Sequence, residues 1–192
     1  MGLEPEVHPA RVDESPLPGE TAAEHVERLA RAKAVAVAER EPGALVVGGD
    51  TVVVLDGLVL GKPSGPDDAV AMLLALSGRR HEVLSGVALA WSDPSDGSAP
   101  PRTLVAVERT EVRFRTLDEP TVRAYVATGE PLDKAGAYGI QGRGGVLVES
   151  VRGDYDTVVG LPVARLVELL ARAGWRYSSA GLTQQAPGPG DA

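Results

Sequence analysis

The chain has 192 residues, no cysteine, and nineteen Lys+Arg against twenty-seven Asp+Glu, a net charge of -8. The 43% hydrophobic and 24% charged content is that of a soluble globular chain. Absence of Cys excludes a disulfide scaffold, thiolate zinc sites and a cysteine nucleophile, and the acidic balance argues against non-specific nucleic-acid binding while leaving room for a small anionic ligand.

Residues 1–19 are acidic and Pro-containing, with no basic or apolar signal region, and read as an extended piece followed by a loop. Thr21 and Glu24 fit a capping box, and Val26, Leu29, Ala30, Lys33, Ala34 and Val37 recur at helical spacing, which predicts a helix over 22–40. Residues 44–49 read as a buried strand. Residues 51–55 and 58–60 read as a hairpin around Asp56-Gly57, the pair a type I′ turn requires. A helix over 67–76 follows, then strands from His81 to Trp91 and from Thr103 to Arg115, joined by a solvated loop at 92–101. A short helix over 119–127 leads into an irregular Gly-rich segment at 130–145. A strand over 146–151, an extended piece at 157–159 and a helix over 162–173 complete the domain. This gives one domain over 1–177 and a disordered tail over 178–192. Helices and strands alternate, but two strand pairs are joined by short or polar loops, so the fold is α/β or α+β with a sheet that is not strictly parallel. No stretch approaches the ~20 apolar residues of a membrane span, so the expectation is a cytoplasmic protein with no membrane and no nucleic-acid partner.

Three places could carry chemistry. Gly48-Gly49-Asp50-Thr51 ends a buried strand with a carboxylate and a hydroxyl. Asp50 suits a divalent metal or a water to be deprotonated, and equally suits a turn cap. Gly61-Lys62-Pro63 presents a lysine that suits a phosphate oxygen, or is an exposed loop lysine. Residues 128–142 mix four Gly with acids, Lys134, Tyr138 and Gln141, an ordered loop whose Gln offers the donor and acceptor that reading a base edge needs. Asp13-Glu14 could complete a metal site with Asp50 or complement the helix dipole. His25 reads as a surface residue and Asp154 as a turn former. No GxGxxG after a strand, no GxxxxGK[ST] and no GxSxG elbow occurs. The sum favours a metal-assisted enzyme acting on a phosphorylated small molecule.

Read in order, several strings resemble the Maf family of nucleoside triphosphate pyrophosphatases. They are Val12-Asp13-Glu14, Arg28 to Ala34 (RLARAKA), Gly48 to Val53 (GGDTVV), Leu60-Gly61-Lys62-Pro63, Leu76 to Val83 (LSGRRHEV), Gly129 to Gly142 (GEPLDKAGAYGIQG), Gly153-Asp154-Tyr155 and Val158 to Pro162 (VVGLP). The match runs collinearly over about residues 3–177. All three lysines of the chain, Lys33, Lys62 and Lys134, fall on it, while the other sixteen cations are Arg. The resemblance implies a two-lobed α/β fold, a mixed sheet with flanking helices and a central cleft of the Maf and inosine-triphosphatase type. It implies cleavage of a nucleoside triphosphate to monophosphate and pyrophosphate with Mg2+ or Mn2+ as cofactor. Asp50 corresponds to the catalytic aspartate, with Glu14, Lys33 and Lys62 on the other charged cleft positions. Asp50 and Glu14 are the implied metal ligands, Thr51 and Gln141 the specificity positions, and Lys134 a further substrate contact. Asp50-Thr51 with the AGAYGIQG string resembles members acting on dTTP and UTP. A homodimer is implied by the resemblance alone.

Two departures stand out. The family opens with a strand and a Ser-x-Ser-Pro-Arg-Arg-type motif that this sequence does not contain, so an N-terminally truncated fold with one uncovered strand edge is expected, and a start codon placed too far downstream is the favoured origin. Gly49 stands where the family more often has Ala. The contrasting expectation is a catalytically impaired nucleotide-binding protein that influences septum formation.

Overall fold

The computed structural model describes residues 3–92, 99–178 and 181–185. Helix α1 (Ala22–Ala38) begins at the capping box its sequence announces. The Glu24 amide donates to Thr21 Oγ1 (3.3 Å), and the Thr21 amide donates back to the Glu24 carboxylate (2.8 Å). Strand β1 (Leu45–Leu55) is one continuous strand where two segments were expected, and it turns at Asp56 (φ 51) and Gly57 (φ 80) into β2 (Leu58–Leu60). Then come α2 (Pro66–Leu76), β3 (Arg80–Trp91), β4 (Arg102–Phe114) and α3 (Glu119–Val126). Three short 3₁₀ turns, Glu130–Asp133, Ala135–Ala137 and Arg143–Leu147, carry the Gly-rich segment to β5 (Val148–Arg152). Helices α4 (Tyr155–Val159) and α5 (Val163–Arg172) and a hairpin of β6 (Trp175–Ser178) and β7 (Gly181–Gln184) end the described chain.

The large sheet runs β2-β1-β3-β4-β5, and every pairing in it is antiparallel. The sheet is therefore of the α+β kind, with helices supplied from both faces. Helix α1 lies on one face, over Val46, Val52, Leu84, Ala88 and Ala90. The opposite face is shared. Leu166, Leu169 and Leu170 of α5 cover Val87 and Leu89, whereas α2 and α3 close over Val53, Leu55, Val83 and Phe114. Two lobes result, and a cleft opens where their coverings part. It opens along the edge of β1, because β2 pairs with β1 only at Val53–Leu55, and from Leu45 to Val52 β1 has one neighbour, β3, among the described residues.

The seat of α1 depends on glycine. A Cβ on Gly48 would lie 2.5 Å from the Ala30 carbonyl oxygen and 2.7 Å from the Ala34 nitrogen, both backbone atoms of α1. A side chain there would push the helix off the sheet. At Gly49 the nearest atom would be 3.6 Å away, an ordinary contact. Gly48→Ala is expected to cost about 2 kcal/mol of stability, roughly 5 °C in Tm for a chain of this size. Gly49→Ala is expected to be close to neutral. Parallel thermal melts of the two variants check this, and equal melting temperatures would mean that α1 is not seated by Gly48.

Three expectations need correction. Residues 157–159 are helical, not extended, because Asp154 caps α4 and Gly160 ends it at positive φ (119), overriding the β-preference of Thr157-Val158-Val159. Residues 181–184 are not a disordered tail. They pair with 175–178, and Trp175 and Leu182 pack against the α5 cluster; residues 179, 180 and 186–192 of the expected tail lie outside the described residues. Strand β5 starts two residues late, since Val146 belongs to the preceding turn and is 61% exposed. Of the loop expected at 92–101, residues 93–98 also lie outside the described residues.

Candidate active site

Asp50 sits on the α1 face of β1, on the edge that has no second strand neighbour among the described residues. Helix α1 brings Lys33 over it, and the extended segment before α1 brings Glu14 from the other side. Lys33 Nζ donates to Asp50 Oδ1 at 2.7 Å and lies 2.8 Å from Glu14 Oε1. The Asp50 side chain is 10% exposed, that of Lys33 21% and that of Glu14 50%, so the trio is graded from the cleft floor to its mouth. Burial works against the Lys33 ammonium, but the bonds to both carboxylates outweigh it and hold its pKa above the ordinary lysine value. Glu14 is held below the ordinary glutamate value, chiefly by its hydrogen bond from Lys33. Asp50 Oδ2 has no protein partner among the described residues and remains available to a ligand.

All seven residues singled out from the sequence, Glu14, Lys33, Asp50, Thr51, Lys62, Lys134 and Gln141, line one cleft of about 890 Å³. Lys62, just past β2, is exposed and without a hydrogen-bond partner among the described residues, yet near enough for its charge to act on Glu14 and Asp133. Thr51 points to the opposite face of β1 from Asp50. Its Oγ1 lies 2.8 Å from Ser85 Oγ and donates to the Gly160 carbonyl at 3.3 Å. Ser85 in turn donates to the Thr157 carbonyl (2.7 Å), tying α4 to the middle of the sheet. Ser85 carries no motif signal of its own, since its part depends wholly on register with Thr51.

The Gly-rich segment is organised by Glu130, which the sequence reading passed over. Its carboxylate accepts from Tyr125 OH (2.9 Å), the Arg143 amide (2.9 Å) and the Gly144 amide (3.0 Å). Those bonds close the loop that presents Gln141 as an exposed turn residue between them. Lys134 donates to Asp133 Oδ1 at 2.7 Å, which keeps the Asp133 carboxyl below its usual range. Beneath the loop, buried His81 meets Tyr138 OH at 2.9 Å through Nε2 and packs edge-on against Phe114.

Other polar residues have local duties. Asp13 accepts from the Ser15 amide and lies outside the cleft lining. Asp154 caps α4 and accepts from Thr157 Oγ1 (3.0 Å), as a turn former would. His25 is not the surface residue expected. Its side chain is 12% exposed and lines the cleft.

A divalent cation fits this donor set in one way. No group of three or more His, Asp or Glu converges among the described residues. Two carboxylates, Asp50 and Glu14, face the cleft beside each other. Magnesium is commonly held by one or two carboxylates together with phosphate oxygens of the substrate.

Residues 1–173 match the family model described as Maf-like protein. A dTTP/UTP pyrophosphatase of Symbiobacterium thermophilum is 51% identical over 170 residues, covering 88% of this chain and 84% of that protein. One from Anaeromyxobacter dehalogenans is 53% identical over 175 residues, covering 91% and 86%. Another, from Pelotomaculum thermopropionicum, is 48% identical over 175 residues, covering 91% and 88%.

Proposed function

The chain belongs to the Maf-like family, and from that premise we propose that it is a nucleoside triphosphate pyrophosphatase that converts dTTP and UTP to the monophosphate and pyrophosphate. The observation that carries the reading is the Glu14–Lys33–Asp50 trio in a cleft large enough for a nucleotide. Water adds to the α-phosphorus, the bond to the oxygen bridging to the β-phosphorus breaks, and pyrophosphate leaves with the electron pair. Negative charge grows on the α-phosphoryl oxygens and on the leaving group. Lys33 and Lys62 are the cations proposed to meet it, and Lys33 stays charged at any working pH because its carboxylates raise its pKa. The free Oδ2 of Asp50 is the acceptor proposed for this chemistry, either for the proton of the attacking water or for a metal ion. Asp50 and Glu14 would hold Mg2+ or Mn2+, which supplies Lewis-acid stabilisation of phosphate charge.

Thr51 and Gln141 are the proposed base-reading positions. Thr51 Oγ1 is fixed by Ser85 and Gly160, so it offers a set direction, whereas Gln141 sits on a loop held by Glu130. Lys134 lines the same wall and is the proposed further substrate contact. The same reading gives the protein a house-cleaning role in the cytoplasm. No helix among the described residues is long and apolar enough to cross a membrane.

Pyrophosphate release from a panel of nucleoside triphosphates with Mg2+ tests the proposal. Hydrolysis of dTTP and UTP at about tenfold or more the rate of ATP, GTP and CTP is expected. Release of orthophosphate, or no turnover of either pyrimidine nucleotide by the folded protein, would overturn it.

A further inference from the structure

Beyond the trio, the cleft contains a second polar assembly on α1. His25, Leu29 and Lys33 follow at intervals of four, so all three face the cleft, with His25 about 12 Å of helix rise from Lys33. His25 Nδ1 lies 2.9 Å from Glu20 Oε2. The Glu20 side chain is 7% exposed and accepts from Arg28 Nη2 (2.8 Å), Arg28 Nε and the Leu17 amide (3.1 Å). A carboxylate so supplied is ionised and acts only as an acceptor, so the hydrogen on Nδ1 points at it. The 3.4 Å approach of Arg28 Nη2 to the same ring nitrogen is a contact between two donors sharing one carboxylate. Glu20 thus fixes both the tautomer and the orientation of the ring, as a carboxylate does behind a metal-bound or catalytic histidine. Nε2 is left without a protein partner among the described residues, on a side chain that lines the cleft with Glu14.

Charge gives this nitrogen its use. The described cleft lining holds four carboxylates, on Glu14, Asp50, Glu130 and Asp133, against three ammonium groups, on Lys33, Lys62 and Lys134. Lys33 is already shared by two of the carboxylates. A triphosphate is strongly anionic, and His25 is the one further lining side chain among the described residues that can carry positive charge. An imidazolium between the Glu20 carboxylate and a phosphate oxygen donates through both nitrogens at once.

We propose that His25, held by Glu20, is a substrate-binding residue that donates from Nε2 to the pyrophosphate end of the nucleotide. His25 lies two turns along α1 from Lys33, the cation at the proposed reacting centre, so the proposal assigns it the phosphates beyond the α-phosphate. Glu20 is a positioning residue. The proposal rests on the pyrophosphatase reading for the identity of the ligand.

Calorimetric titration of the full chain with pyrophosphate and, separately, with TMP in the presence of Mg2+ tests it without requiring turnover. His25→Ala leaves Glu20 its bonds to Arg28 and Leu17, so the fold is expected to survive. The expected result is pyrophosphate affinity lowered about tenfold with TMP affinity within about twofold of the parent. Glu20→Gln is expected to weaken pyrophosphate less, because the amide oxygen can still accept from Nδ1 and hold the ring in place. In steady state, His25→Ala raises KM for dTTP more than it lowers kcat. Equal losses for both ligands, no loss for either, or a parent protein that does not bind pyrophosphate would each overturn the proposal. Failure of the parent to release pyrophosphate from dTTP while His25-dependent pyrophosphate binding persists would instead overturn the pyrophosphatase reading alone.

Discussion

Asp50→Asn is expected to lower kcat/KM for dTTP by about 10³-fold while leaving the protein folded. The amide keeps the shape of the side chain and can still accept from Lys33, and the ammonium retains Glu14 at 2.8 Å, so no buried charge is left bare. What disappears is the negative charge on the cleft floor and the basic oxygen at Oδ2. A Tm within a few degrees of the parent, with turnover reduced to that extent, is the predicted pairing. The Mg2+ concentration for half-maximal rate separates the two duties open to Asp50. A rise assigns it to the metal, and an unchanged requirement with the same loss of kcat assigns it to the attacking water. Activity within tenfold of the parent would remove Asp50 from the chemistry.

The second large effect is on stability and comes from His81. The ring is 2% exposed, its Nδ1 has no hydrogen-bond partner among the described residues, and burial pushes its pKa down to about 4. A histidine whose folded pKa lies below its unfolded value near 6.5 must stay neutral to remain buried. In the unfolded chain it binds a proton as pH falls through 6.5, whereas in the fold it does so only near 4. Its contribution is therefore complete above about pH 6.5 and is lost progressively between 6.5 and 4, a total of about 3 kcal/mol. His81→Gln keeps a polar group near Tyr138 and removes the titration. Denaturant melts at pH 7 and pH 4.5 should show the parent losing roughly 2 kcal/mol more than the variant. Equal losses would mean that His81 is not held neutral. The loop carrying Lys134 and Gln141 rests on Tyr138, so the same acidification is expected to loosen the cleft wall.

Much of the fold could be read in one dimension because local chemistry writes it there. The capping box at Thr21 and Glu24, the Asp56-Gly57 turn and the apolar spacing of α1 and α2 each act within a few residues. Segments 157–159 and 181–184 were misread for the complementary reason. A β-branched run became helix because a cap at Asp154 and a glycine at 160 framed it. A polar tail became a strand because it pairs with 175–178 and Leu182 finds apolar partners on α5, a packing that only the folded chain creates.

The candidate site divides along the same line. Sequence by itself determined the residue types and family strings: an acid after two glycines, three lysines among sixteen arginines, and a Gly-rich segment with a glutamine. Their membership of one cleft depends on tertiary structure, because Glu14, Lys33, Asp50 and Gln141 come from four elements whose distances are set by packing. Only the fold decided that Gly48 must admit the backbone of α1, that Lys33 is shared by two carboxylates, and that Glu130 and Glu20 are the acids that hold the walls. A carboxylate has the same sequence signature whether it accepts hydrogen bonds from a loop, an arginine or a lysine. The partner that distinguishes those duties is chosen by the register of the sheet and the seating of α1, and neither is a local property of the chain.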